Sequence, residues 1–200
     1  AGALSNMGII YRAIGQPRRA LELYEQALPI KHRVGDRAGE AAILNNMALV
    51  NQVMGQPDKA LELYEQALPI LRAIGDRITE AGTLTNMGEL YRLSGQPDKA
   101  LELFEQALPI MKAVGNRPGE ATTLNSMGTL YQNIGQPGKA LELFERTLPI
   151  RRSVGARAGE AVTLGNMAWV YQELGQIDEA LELFEQALPI TKEVGDREST

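Results

Sequence analysis

The chain has 200 residues, 44% of them apolar and 22% charged, with a formal net charge of -5. That acidic balance argues against nucleic acid, which needs a basic stripe to displace counterions, and the lack of cysteine excludes disulfides, thiolate metal sites and thiol nucleophiles. No apolar run approaches the ~18 residues of a membrane span and no signal peptide opens the chain, so the expectation is a cytoplasmic protein with neither nucleic acid nor membrane as partner.

Charge is unevenly spread. Residues 161–200 hold two basic residues, Lys192 and Arg197, against eight carboxylates, whereas the first forty hold six Lys or Arg against four carboxylates. Such ends can attract one another or a partner of matching polarity, although a solvated surface accounts for them as well.

Shifted by forty residues, the chain aligns on itself without a gap. Five repeats result, 1–40, 41–80, 81–120, 121–160 and 161–200. With phase denoting a residue's place in its repeat, fifteen phases carry one residue in all five copies, among them Leu4, Met7, Gly15, Ala20, Leu21, Leu28, Pro29 and Gly35. A period of this length predicts an all-α solenoid built as one array of five helix-turn-helix repeats.

The first helix of each repeat is expected over about phases 1–14, where apolar phases 4, 7, 8, 11 and 14 form one stripe. In the third repeat these are Leu84, Met87, Gly88 and Tyr91, with Ser94 breaking the stripe. Gly95 suits a left-handed helix stop and Pro97 the first turn of the next helix. Asp58, Asp98 and Asp178 follow in that first turn, where carboxylates favour the helix dipole.

The second helix is expected over phases 17–34. Ala60, Leu61, Leu63, Tyr64, Ala67, Leu68 and Ile70 make it apolar on more than one side, so it must touch several neighbours, while Glu62, Glu65 and Gln66 supply a wet face. Gly75 ends it and Asp76 caps the helix that follows; Ala156 removes that cap before the fifth repeat, a local loss of about 1 kcal/mol. Pro69 and its copies sit inside this helix, each removing a donor and crowding the carbonyl four residues back. The expectation is either a bend near phase 29 or a break followed by a last helical turn. Equal bends would add up to curvature; a tolerated proline copied by duplication is the plainer reading.

Leu84, Met87, Gly88, Tyr91, Gly95, Ala100, Phe104 and Ala107 resemble the tetratricopeptide repeat signature, at matching spacings along the whole chain. The forty-residue length is similar to the long-repeat subgroup of kinesin light chains, spindle-orientation adaptors and arrays in bacterial regulators and protease-linked proteins. The resemblance implies a right-handed superhelix whose first helices line a concave groove for a peptide or helix; it does not imply an enzyme, and the expectation is no enzymatic activity and no cofactor. Departures are Asn51 for the tyrosine, Ala48 and Ala168 for the glycine, Thr147 for the small alanine, and Ile177 for the proline that starts the second helix. Asn51 leaves a polar group where a ring should pack, so the second repeat is expected to be looser there.

Phases 2, 5, 6, 9, 12 and 13 lie away from the core stripe and are expected to face the groove. Phase 6 carries Asn6, Asn46, Asn86 and Asn166, with Ser126 the exception. Asparagine is a poor mid-helix residue, and an amide that donates and accepts suits an extended peptide backbone. The resemblance implies the same, since related long-repeat proteins contact peptide backbone from this place. The alternative is an asparagine that bonds the neighbouring helix and holds the stack. Phase 9 varies as Ile9, Leu49, Glu89, Thr129 and Trp169, and phase 13 as Ala13, Val53, Leu93, Asn133 and Glu173. The first two repeats thus offer apolar contacts. Asn45, Gln52, Asn125, Gln132 and Gln172 add amides, and Arg12 and Arg92 are the groove cations. The lysine or arginine clamp of chaperone-binding relatives is missing, because phase 5 reads Ser5, Asn45, Thr85, Asn125 and Gly165.

Trp169, the sole tryptophan, is either a binding anchor on this face or packs on material beyond residue 200. His32, the sole histidine, takes a phase where other repeats place Arg72, Lys112, Arg152 and Lys192, which marks a solvated cation position. No nucleophile–base set, phosphate loop or metal cluster recurs. Glu22, Glu25 and their copies lie on the wet face, and Arg37 and its copies pair with nearby glutamates at little gain. A protein or peptide is therefore the expected partner. Self-association through the array ends is a second expectation, because neither terminal repeat carries a polar cap; the same ends suit a fragment of a longer chain.

Overall fold

A computed structural model describes residues 1–198, with side chains through Gly195. Ten helices and no strand occur among the described residues. They are α1 (Gly2–Ala13), α2 (Pro17–Arg33), α3 (Arg37–Val53), α4 (Pro57–Ile74), α5 (Arg77–Leu93), α6 (Pro97–Ala113), α7 (Arg117–Asn133), α8 (Pro137–Ser153), α9 (Arg157–Glu173) and α10 (Ile177–Glu198). The chain divides within α5 into an N-terminal unit, Ala1–Leu90, and a C-terminal unit, Tyr91–Thr200. In the N-terminal unit α1 packs on α2, α2 on α3, and α3 on α4; in the C-terminal unit α6 to α10 pack each on the next. Contacts that are local in sequence are the mark of a repeat array.

Local chemistry explains the helix ends. Gly15 and Gly35 have φ of +72° and +71°, a left-handed conformation that costs glycine nothing sterically. At the end of α1, Gln16 N–H donates to the Tyr11 carbonyl at 2.8 Å and Gly15 N–H to Arg12 at 3.1 Å, the paired bonds of a Schellman stop. Gly195 is the exception: α10 runs through it to Glu198, past the expected end at phase 34.

The first helices of repeats two to five start four residues earlier than their apolar stripe indicated, at Arg37, Arg77, Arg117 and Arg157. A side-chain cap at phase 36 secures three of these four starts. Asp36 and Asn116 accept from the N–H of Gly39 and Gly119 at 2.8 and 3.0 Å, and Asp76 accepts from Thr79 at 3.1 Å. Ala156 makes no such bond.

The second helices run unbroken through their prolines, so the break with a separate last turn does not occur. Pro29, Pro69, Pro109, Pro149 and Pro189 are all exposed, as are Glu25, Glu65, Glu105, Glu145 and Glu185 four residues back. Water can therefore satisfy the carbonyls that lose a donor.

The first four hairpins each close on a buried ring, and Phe184 in the fifth is half-buried. Tyr24, Tyr64, Phe104 and Phe144 are fully buried, and a Cβ added at Gly8 or Gly128 would meet the Tyr24 or Phe144 ring at 2.6 or 2.5 Å. The glycine is thus the space the ring occupies. Thr147, at an alanine phase, is buried with its hydroxyl donating to the Leu143 carbonyl at 2.8 Å.

The phase-37 arginines pair with glutamate as expected, but not at an open surface. Glu40, Glu80, Glu120 and Glu160 are buried. Arg37, Arg77, Arg117 and Arg157 donate to them at 2.5–2.7 Å, and Arg72 and Arg152 add a second bond to Glu80 and Glu160. Removing a partner from a buried carboxylate is costly, so these pairs hold the junctions rather than decorate them. His32 joins the same scheme, its Nδ1 lying 3.0 Å from Glu40. No group of three or more His, Asp or Glu among the described residues could hold a metal, and no described helix is long and apolar enough to cross a membrane.

Candidate protein-binding face

The first helices of adjacent repeats lie side by side within each unit, α1 by α3 and α7 by α9. Their shared face carries the variable phases, and in the N-terminal unit it is apolar at its rim. Ile9 is exposed, Leu49 half-buried, and Val53 71% exposed. Phases 9 and 13 fall off the core stripe, and their isoleucine and valine stay in water.

Between them runs a polar seam centred on the buried tyrosines. The Tyr64 hydroxyl donates to Gln52 Oε1 at 2.8 Å, and the Asn86 side chain lies beside the same hydroxyl. Burial pushes the Tyr64 hydroxyl well above its ordinary pKa, with the nearby Asn86 amide and the Arg12 charge opposing. Burial also raises Tyr24, against the neighbouring Arg12 guanidinium. There the alignment fails: Tyr24 OH and Arg12 Nε are both buried without a hydrogen-bond partner. Asn45 accepts from the Thr83 hydroxyl at 3.1 Å. Asn46 is half-buried and Asn6 exposed; Glu89 is half-buried.

In the C-terminal unit the buried rings are phenylalanines and offer no hydroxyl. The amides turn to one another instead. Asn166 donates to Asn125 Oδ1 at 3.4 Å, and the Thr163 hydroxyl reaches the same oxygen at 3.3 Å. Gln132 donates to Glu173 at 2.8 Å. Arg92 donates at 2.9 Å to Asn133, whose amide orientation is set by its neighbours. Three of these links join residues forty-one apart, stitching one first helix to the next.

Trp169 is 53% exposed and meets Phe184 edge-on, with ring centroids 5.6 Å apart. It stands beside exposed Gln172 and Glu173. Of the residues expected on this face, Asn86, Gln52 and Arg12 converge on tyrosine hydroxyls, and Asn125 and Asn166 converge on each other. The periodicity alone could not show those hydroxyls as partners, because phases 6 and 24 meet only when the hairpins stack.

Comparison with known proteins accounts for residues 1–193. The profile of the tetratricopeptide repeat matches residues 1–73, 39–113, 79–153 and 119–193. No curated protein matches the sequence. Among solved structures, the chain is similar to BtubC (BKLC) from P. vanneervenii, at 23% identity and TM-score 0.84 over 96% of this chain and 80% of that one. A Podosopora anserina putative kinesin light chain with nearly identical TPR-like repeats is 26% identical, with TM-score 0.75 over 96% and 95% of the two chains. The apo form of RapI shares the fold at 19% identity, with TM-score 0.87 over 98% and 72%. The chain belongs to the tetratricopeptide repeat family, in its long form of forty residues per repeat.

Proposed function

We propose that the chain is a protein-interaction scaffold that binds a peptide or helical segment on the face of its first helices. The observation that carries this is the exposure of Ile9 and Val53 at phases that vary from repeat to repeat. Stacking demands sameness where repeats meet, so variation together with exposed apolar area points to a partner. In the N-terminal unit the segment lays an apolar side on Ile9, Leu49 and Val53. Asn46 and Asn6 offer amides for its backbone, and Arg12 supplies a cation. In the C-terminal unit Trp169 is the anchor, a large rigid side chain suited to dominate a contact, with Gln172 and Glu173 at its edge. The test is capture of partners by the wild-type chain and by Ile9→Asp/Val53→Asp, with Asn46→Ala/Asn86→Ala in parallel. Loss of one defined partner in the first variant, with helical content unchanged, is expected. Equal capture by all three chains would overturn the assignment.

A second reading, self-association, is favoured by α10. Leu181 and Leu188 are exposed, whereas their counterparts in the other repeats are buried or half-buried. On α1, Met7, Ile10 and Ile14 are exposed as well. Head-to-tail stacking would cover both sets. Sedimentation across a concentration range decides: a concentration-independent monomer removes this reading.

A further inference from the structure

The second repeat breaks the tyrosine pattern at phase 11, and the break leaves a space. Tyr11, Tyr91 and Tyr131 each lie beneath a cation from phase 19. Arg19 stands 5.6 Å from the first ring centroid, and Lys99 and Lys139 each 5.0 Å from theirs. Tyr131 shows what the ring does. It packs both on the cluster of Ala100, Phe104, Leu130 and Leu143 and on that of Ala140, Phe144 and Met167, sealing two successive hairpins.

Asn51 occupies the corresponding position on α3 and does not fill it. A pocket of about 200 Å³ opens there between α2, α3 and α4, with Leu21, Met47, Leu63 and Lys59 among its walls and Glu25 and Glu62 at its rim. Asn51 itself is 2% exposed. Its Nδ2 donates to the Met47 carbonyl at 2.8 Å, and its Oδ1 is buried with no donor. Lys59 is in place above, yet it has no ring beneath it.

We propose that this pocket is a binding site for one aromatic side chain of a partner polypeptide, a tyrosine, which takes the place the chain's own ring takes in the other repeats. The pocket is below the ~300–1,000 Å³ of sites for drug-sized molecules, and so matches a single ring. The ring face meets the Lys59 ammonium. Its edge meets the Met47 thioether and the leucines. The phenol hydroxyl has acceptors in the Glu25 and Glu62 carboxylates. Tyrosine is favoured over phenylalanine because two carboxylates, Glu25 and Glu62, are placed to accept from its hydroxyl. This site is separate from the first-helix face, and its failure would leave that reading untouched.

The probe is p-cresol, the side-chain analogue of tyrosine, titrated into the whole chain carrying labelled methionine methyls. A saturable shift of the Met47 methyl is expected, with a Kd of about 1 mM for so small a ligand. The Met127 methyl, at the same phase beside filled Tyr131, stays still. Asn51→Tyr, or Asn51→Phe should the first variant fold poorly, fills the space from within and abolishes the shift. Tyr131→Asn opens a second site and makes Met127 respond. N-acetyl-tyrosinamide, which carries backbone, shifts Met47 as p-cresol does. A Met47 methyl that never moves, or moves equally with the space filled, overturns the site. Response to p-cresol but not to N-acetyl-tyrosinamide overturns the polypeptide partner.

Discussion

The two units solve one packing problem with different polar chemistry. In the N-terminal unit the buried ring of each second helix is a tyrosine, and its hydroxyl must find a partner inside the stack. Tyr64 finds Gln52, with Asn86 alongside; Tyr24 finds Arg12 nearby but not aligned. In the C-terminal unit Phe104, Phe144 and Phe184 make no demand, and the same phases are free to link first helices directly, Gln132 to Glu173 and Asn166 to Asn125. The apolar frame is constant because volume is what it must match. The polar layer above it is set by whether one oxygen lies beneath.

Four substitutions and one titration test that contrast. Tyr64→Phe has the largest effect: it strands Gln52 and lowers unfolding free energy by about 1–2 kcal/mol in denaturant melts. Tyr24→Phe goes the other way, since its hydroxyl is buried without a bond; a gain of up to about 1 kcal/mol is expected, and a loss would mean Arg12 holds it after all. Ala156→Asp supplies the missing cap of α9 and gains about 0.5–1 kcal/mol, with amide exchange slowed at Gly159. Phe144→Tyr places a hydroxyl between Gln132 and Asn166, the same pair of side-chain types that serves Tyr64. The change stays within about 0.5 kcal/mol, while the Gln132–Glu173 bond is given up, visible as a shift of the Glu173 resonances.

The titration concerns Asp36, whose carboxylate is held below the ordinary range by hydrogen bonds from Lys31 and then from the Gly39 N–H. A lowered pKa means that the folded state favours the charged form. The contribution is complete above the ordinary carboxylate pKa and is lost as pH falls through the lowered one. Acid should therefore fray the start of α3 but not that of α9, where Ala156 has nothing to protonate. Exchange at Gly39 and Gly159 across that range measures it, and this is the smallest effect of the five.

Much of the fold was legible before any coordinates. The forty-residue register, the hairpin in each repeat, the helix stop at Gly95, the cap at Asp76 and its loss at Ala156 all depend on side chains within a few residues of the backbone they act on. The looseness expected at Asn51 appears as an orphaned oxygen beside a pocket. The burial of Glu40 and its copies was not legible, because alternating charges on a helix read as a wet surface until another helix covers them. Nor was the engagement of Asn86 with Tyr64, since phase 6 of one repeat meets phase 24 of the previous one only across a packed junction.

Sequence by itself determined where the chain turns, which stripe is apolar and how often the motif recurs, because those follow from torsion preferences and spacing along one strand of covalent bonds. Tertiary structure alone decided which amides are already engaged and where an absent ring leaves room. It also decided whether a glycine is used, for Gly155 turns the chain toward α9 while Gly195 stays inside α10. Hydrogen bonds and voids are properties of surfaces brought together, and the distance between such surfaces is set by every side chain at the junction at once.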